Sequence, residues 1–199
     1  MKQTQVIKTA SSKLPTKYGQ FELVIYHSLP DGAEHAVLFK EKKGSKPILV
    51  RVHSQCLTGD TFFSLKCDCG EQLEESFKKI QKQGAGIIIY LNQEGRGIGL
   101  TSKVKAYKLQ EHGLDTVEAN ESLGFTADER DYKVAAEILL DLGIKEVTLL
   151  TNNPDKERQL AQYGIKIKNT LPLEVHPTSI NLSYLATKKK KLGHRLKLV

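Results

Sequence analysis

Three cysteines, Cys56, Cys67 and Cys69, are the only ones in the chain, and they follow the spacing C-x10-C-x-C. Asp68 alone separates the last two, and Gly70 follows directly. Thiolates gathered this closely are soft ligands, and zinc is the usual ion for them. A structural zinc site closes all four positions with protein, whereas a catalytic one keeps a position for water. With three thiolates and no fourth cysteine, the open reading is three cysteines plus water, a zinc-activated nucleophile. The closed reading needs a histidine. His53 is near, but it sits three residues before Cys56 on an expected strand, so its side chain need not point the same way. The bland alternative is three buried free thiols that pack as small hydrophobes. Their confinement to one short stretch speaks against it. An odd number of cysteines also makes a disulfide framework a poor expectation.

Three further stretches could handle an anion. Gln93–Gly99 follows an apolar run and spells G-x-G-x-G around Arg96. Its glycines let backbone amides approach a phosphate, and Arg96 can clamp one. The spacing is neither the dinucleotide-binding G-x-G-x-x-G nor a P-loop. A flexible turn is the rival reading. Asp128–Asp131 is expected to open a helix, where acidic residues are commonly caps. Arg130 would then stand against the helix dipole, which suggests an anion to meet. Thr151–Lys156 combines a hydroxyl, two amides, a helix N-terminus and a lysine after another apolar run, a good phosphate seat. The rival there is a plain cap by Asn153.

These loops need elements to hold them. Residues 1–20 read as an edge strand with a turn at Tyr18–Gly19. Phe21–Tyr26, His35–Phe39 and Ile48–Val52 read as strands, with turns at Leu29–Gly32 and 43–45. After Gly70 the period becomes helical over Glu71–Gln83. Ile87–Leu91 and Glu146–Leu150 are short apolar runs, as in strands buried on both faces. Helices are expected over Leu100–Glu111 and Asp131–Leu142, after Pro154, and from Ser179 to Lys191. Asp115–Gly124 reads as irregular and polar, and Ile165–Lys168 as an edge strand. The fold class is therefore α/β: a single domain over residues 1–199, with a mixed β-sheet, helices packed on its faces and antiparallel strands in the N-terminal part. Residues 188–199 read as a basic tail, a solvated or frayed end.

Composition narrows the classes. A hydrophobic content of 39% and a charged content of 27% suit an ordinary soluble protein. No run approaches the length of a bilayer span, and the N-terminus lacks a signal-peptide core, so the cytoplasm is the expected location. The net charge of +7 favours anionic partners without choosing among them.

Six motifs then coincide with one family. R-V-H-S-x-C-L-T-G-D at 51–60, S-L-x-C-D-C-G at 64–70, Q-E-G-R-x-I-G-L at 93–100, D-T-V-E-A-N at 115–120, L-G-F-x-A-D-E-R-D at 123–131 and L-L-T-N-N-P-x-K at 149–156 resemble GTP cyclohydrolase II, in order and over most of the chain. The resemblance implies a zinc enzyme that commits GTP to riboflavin biosynthesis. It opens the guanine imidazole ring with release of formate and cleaves off pyrophosphate. The product is 2,5-diamino-6-(5-phosphoribosylamino)pyrimidin-4(3H)-one. Cys56, Cys67 and Cys69 would hold one zinc per subunit. Arg51, Val52, His53, Ser54, Gln55, Gln72, Glu94, Gly95, Arg96, Thr116, Thr151 and Lys156 would line the GTP site. Asp128 would accept a proton, Arg130 would be the nucleophile toward phosphorus, and Tyr107 would sit at the active site. Mg²⁺ would accompany the triphosphate, and the protein would be a homodimer with neither membrane nor nucleic acid as partner. One departure is Gln55, where the family usually has Glu; it keeps an acceptor and loses a charge. The family is often fused to dihydroxybutanone phosphate synthase, which a chain of this length is not expected to carry.

In physical terms, neutral water is a poor nucleophile toward guanine C8, and zinc supplies what it lacks. A guanidinium is normally protonated, so Arg130 has a rival role as electrostatic stabiliser of the phosphoryl transition state. Two other functions compete. One is a GTP-binding homologue with lost or partial activity. The other is a zinc-stabilised nucleic-acid-binding protein, for which an aromatic content of 7% without tryptophan supplies few stacking platforms.

Overall fold

The computed structural model describes residues 6–29, 31–40 and 47–199. The turn expected at 43–45 lies outside the described residues, as do residues 1–5 and Pro30 of the turn expected over Leu29–Gly32.

One seven-stranded sheet organises the fold. Its strands are β1 (Val6–Thr16), β2 (Gly19–Ser28), β3 (Glu34–Lys40), β4 (Ile48–Ser54), β5 (Gly86–Leu91), β6 (Glu146–Leu150) and β7 (Lys166–Leu171), in the order β1-β2-β3-β5-β4-β6-β7. β1, β2, β3 and β5 pair antiparallel in succession. β4, β6 and β7 pair parallel. The sheet is mixed, with its antiparallel part near the N-terminus, as the sequence led us to expect.

Local chemistry explains the pieces. β1 and β2 form a hairpin closed at Thr16 and Gly19. Gly19 takes φ +112°, a conformation that side-chain-bearing residues rarely adopt, so glycine suits it. The three isoleucines 87–89 of β5 have no solvent exposure, because β5 has a strand on each side and apolar cover on both faces. Alternation divides them. Ile87, Ile89 and Leu91 join Val50, Val52, Val147 and Leu149 in the main core. That core is completed by α5 (Lys133–Asp141) through Ala135, Ala136, Ile138 and Leu139, and by α6 (Pro154–Gln162) through Leu160. Each fully buried aliphatic side chain contributes roughly 1.5–3 kcal/mol.

The chain divides into two compact units that alternate along the sequence: 1–53, 74–92 and 131–173 in the first, 54–73, 93–130 and 174–199 in the second. The main hydrophobic core belongs to the first. The second holds α1 (Leu57–Asp60), the first turn of α2 (Cys69–Gln83), a 3₁₀ turn at Glu94–Gly97, α3 (Gly99–Glu111), α4 (Thr116–Ser122) and α7 (Leu182–Leu192).

Several expectations need correction. Asp115–Gly124 is not irregular. Asp115 caps α4 by accepting from the Val117 and Glu118 amides, and Glu118 reaches back to the Asp115 amide, a complete capping box. Asp128–Asp131 does not open a helix, since α5 starts at Lys133. The argument that Arg130 opposes a helix dipole therefore falls away. The lysine run is not a frayed tail: α7 continues to Leu192, Lys188 is buried, and Lys191 bridges Asp115 and Glu118 at 2.5 and 2.9 Å.

Candidate active site

The three Sγ atoms lie within 4.8 Å of one another, and among the described residues no histidine joins them. Cys56 stands between β4 and α1, Cys67 lies in the loop beyond, and Cys69 starts α2. Cys56 and Cys67 Sγ are 3.7 Å apart. Two sulfurs sharing a tetrahedral zinc at about 2.3 Å stand roughly 3.8 Å apart, so this pair fits that ion.

Glycine makes room for this geometry. A Cβ on Gly59 would stand 2.8 Å from Cys67 Sγ and 3.2 Å from Cys56 Sγ. A Cβ on Gly70 would meet the Gly59 carbonyl oxygen at 2.3 Å. The α1 turn and the start of α2 therefore touch backbone to backbone.

Protonation points the same way. Cys56 is driven far below the ordinary thiol value by hydrogen bonds from Cys67 and Cys69, helped by the Lys103 ammonium. The Cys67 thiol is pushed up to about 11 by its bond to Cys56, and Cys69 is raised by both neighbours. Three adjacent thiols cannot all ionise unaided; a divalent cation among them removes that conflict.

Buried polar groups surround the cluster. Lys103 of α3 places Nζ 3.1 Å from Cys56 Sγ and 2.8 Å from Glu94 Oε1. Burial opposes its charge, but the Glu94 carboxylate and the Cys56 thiolate outweigh burial and keep it protonated. Glu94 also accepts from the Leu57 amide at 2.6 Å and the Gly95 amide at 2.8 Å. Its carboxylate thus braces the start of the loop after Cys56. Tyr107, one turn along α3 from Lys103, has its hydroxyl 3.3 Å from Thr58 Oγ1. Burial pushes its phenol up to about 12, so it is a proton-bearing donor at neutral pH. On the other flank, Asp68 is bound by Lys188 Nζ and by Gln72 Nε2, each at 2.5 Å.

Arg96, Asp128 and Arg130 form a neighbouring group. Gly95, Arg96 and Gly97 all take positive φ, and Arg96 at +62° is strained for a residue with a Cβ. The Arg96 carbonyl accepts from the Glu129 amide at 3.0 Å, and its guanidinium reaches the Ala127 carbonyl at 3.4 Å. Arg130 grips Asp128 with a two-toothed fork, Nε to Oδ1 at 2.7 Å and Nη2 to Oδ2 at 2.5 Å. Burial pushes the Asp128 carboxyl up, but Arg130 and then Arg96 outweigh it and hold the group below the usual carboxylate range.

Five of the expected substrate residues, Arg51, Val52, His53, Thr151 and Lys156, belong to the sheet unit. Arg51 donates to the Leu150 carbonyl at 3.2 Å, and Lys156 to the Val52 carbonyl at 2.8 Å. His53 stacks on Tyr90 with ring centroids 5.4 Å apart. Asn153 caps α6 through the Asp155 amide, and Thr151 Oγ1 accepts from the Asn153 amide at 3.0 Å. Ser54, Gln55, Gln72, Glu94, Gly95, Arg96 and Thr116 belong to the second unit, with the cysteines, Tyr107, Asp128 and Arg130. Sequence reasoning passed over Lys103 and Lys188. Lys103 follows Glu94 by nine residues and carried no motif; Lys188 was hidden in a run of four lysines.

Comparison with known proteins agrees with this geometry. The family model for GTP cyclohydrolase II matches residues 7–172. The riboflavin biosynthesis protein RibBA of Chlorobium phaeovibrioides is 50% identical over 198 residues, covering 98% of this chain and 48% of that protein. RibBA of Parabacteroides distasonis is 53% identical over 184 residues, covering 92% of this chain and 45% of that protein. The chain thus spans about half the length of these relatives. Among solved structures, RibBX, a two-domain 3,4-dihydroxy-2-butanone 4-phosphate synthase from A. baumannii, aligns with a TM-score of 0.52 at 20% identity, covering 87% of this chain and 41% of that one. That likeness is one of fold alone. The cysteine cluster and the motifs around it lie within the matched residues, and the chain belongs to the GTP cyclohydrolase II family.

Proposed function

We propose that this chain hydrolyses GTP, releasing formate from the guanine ring and pyrophosphate from the triphosphate. The observation that carries the reading is the three-cysteine cluster within residues matched by the family model. Cys56, Cys67 and Cys69 would hold zinc. When bound, zinc supplies a Lewis acid that lets water attack carbon at neutral pH.

The chain's own groups do the rest. Tyr107 keeps its proton and serves as hydrogen-bond donor to the ring nitrogen that takes up negative charge as water adds at guanine C8. Lys103 offsets the negative charge of the thiolates and steadies Cys56. Arg96 and Arg130 present positive charge to the triphosphate. The Asp128 fork favours the electrostatic role for Arg130 over the covalent one, because it stabilises the protonated guanidinium. Asp128 orients that guanidinium and accepts a proton when water is the nucleophile. Arg51, Val52, His53, Ser54, Gln55, Gln72, Glu94, Gly95, Thr116, Thr151 and Lys156 remain the proposed GTP contacts. Glu94 and Gln72 also support the cysteine loops, since both bond within them. Mg²⁺ with the triphosphate, a homodimer, a single domain over residues 1–199 and a cytoplasmic location complete the proposal.

The test is to incubate the purified protein with GTP, Mg²⁺ and zinc and to follow formate, pyrophosphate and the ultraviolet spectrum of the pyrimidine product. Formate and pyrophosphate should both appear. Arg130→Ala should lose pyrophosphate release, and Arg130→Lys should keep a fraction if charge is what matters. An Arg130→Ala protein that releases pyrophosphate at the wild-type rate removes Arg130 from the reaction.

A further inference from the structure

We infer that Lys188, near the end of α7, is a positioning residue of the metal centre: it holds Asp68 and thereby fixes the Cys67–Cys69 arm in its ligating arrangement. The inference rests on reading the cysteine cluster as a zinc site. It concerns a helix beyond residues 7–172, the part that the family model matches.

Asp68 is the single residue between two of the three donors. Its backbone torsions set where Cys67 and Cys69 point relative to each other. The side chain is 3% exposed and engaged at both oxygens, Oδ1 by Lys188 and Oδ2 by Gln72, each at 2.5 Å. Gln72 is part of α2 and only four residues away, so it ties Asp68 to its own helix. Lys188 ties Asp68 to a distant part of the chain, across a separation of 120 residues.

Lys188 is itself held at both ends. Its ammonium lies over the Tyr184 ring, 4.5 Å from the centroid, one turn back on α7. Its carbonyl accepts from the Gly193 amide and, at 3.1 Å, from the His194 amide, with Gly193 in the left-handed conformation that ends the helix. The next three lysines, 189–191, are exposed; Lys188 alone of the run turns inward. A buried ammonium bound to the carboxylate between two thiol donors acts one step further out than the groups that bond metal ligands directly, through the backbone the two donors share.

The experiment measures metal binding as well as turnover. Zinc affinity would be determined by competition with a chelating dye, and ligand geometry by the absorption spectrum of the Co²⁺-substituted protein. Four proteins suffice at first: wild type, Lys188→Met, Lys188→Arg and Lys190→Met as the exposed control. Lys188→Met should weaken zinc binding by about 10- to 100-fold and shift the Co²⁺ bands. Lys188→Arg should recover part of both, and Lys190→Met should move neither. Lys188→Met with zinc affinity within about twofold of wild type and an unmoved Co²⁺ spectrum overturns the inference. Should Lys188→Met fail to fold, the double variant Asp68→Asn with Lys188→Met leaves no buried charge unpaired. Its affinity loss should equal that of Asp68→Asn alone, because the two residues act as one unit. Fully additive losses, or wild-type affinity in the double variant, overturn the inference too. A wild-type protein that takes up no zinc sinks the zinc reading itself, a different failure from an indifferent Lys188→Met.

Discussion

In the sheet unit, Val50, Val52, Ile87, Ile89, Leu91, Ile138 and Leu149 have no solvent exposure and form one apolar core. In the second unit, few large apolar side chains among the described residues are fully buried. What it buries instead is Glu94 with Lys103, Asp68 with Lys188, and two of the three cysteines. An apolar core tolerates changes of metal and pH, because burial of hydrocarbon depends on neither. Buried charges stabilise only while their partners are present and ionised. The candidate metal ligands therefore sit in the unit that buries little hydrocarbon, and the main apolar scaffold in the other.

Mutations can break or sharpen this contrast. The largest effect is expected from Cys67→Ser. It should lose stoichiometric zinc and abolish formate release while some pyrophosphate release remains. Hydrogen exchange should speed up around residues 54–73 and stay slow in β5 and β6. Retained formate production would sink the metal assignment. The converse is Leu149→Ala, which should lower stability in urea by about 2–5 kcal/mol, while the folded protein still binds zinc with wild-type affinity. A fall in zinc affinity as large as the fall in stability would erase the distinction between the units.

A smaller change is expected for Lys103→Met. It strands the Glu94 carboxylate, which keeps two backbone donors. A loss of about 2 kcal/mol is therefore expected, together with weaker zinc binding. Glu94→Gln combined with it should recover part of the stability and none of the affinity. The smallest effect concerns pH. The folded carboxyl of Asp128 is depressed. Its stabilisation is complete above the ordinary value of about 4 and is lost as pH falls through the depressed value. The stability gap between wild type and Asp128→Asn should be about 1 kcal/mol, flat from about pH 8 to 5, and should close below about pH 4. A gap that varies between about pH 6 and 8 would mean another group is responsible.

The same contrast explains what could be read from the sequence. The strands were legible because apolar runs such as Ile87–Leu91 leave no other use for themselves in a chain this polar. The cysteines were legible because all three are local. α4 was missed because Thr116–Ser122 is polar, though Asp115 and Glu118 stand at capping-box spacing. The structural side of Glu94 was hidden, because two of its carboxylate's partners, Leu57 and Lys103, are not adjacent in sequence. Lys188 was illegible for the same reason in stronger form. One lysine among four acquires a role only through an aspartate far up the chain. Non-local polar pairs leave no periodicity behind them.

That separation has a kinetic side. Cys56 and Cys67 are 11 residues apart, whereas Lys188 and Asp68 are 120 apart. Closing the short loop is entropically easy and fast; closing the long one is neither. During synthesis the thiol ring can take shape soon after α2 has emerged, long before α7 exists. The three-cysteine cluster is then the seed of its unit, and α7 is a latch that closes on it afterwards.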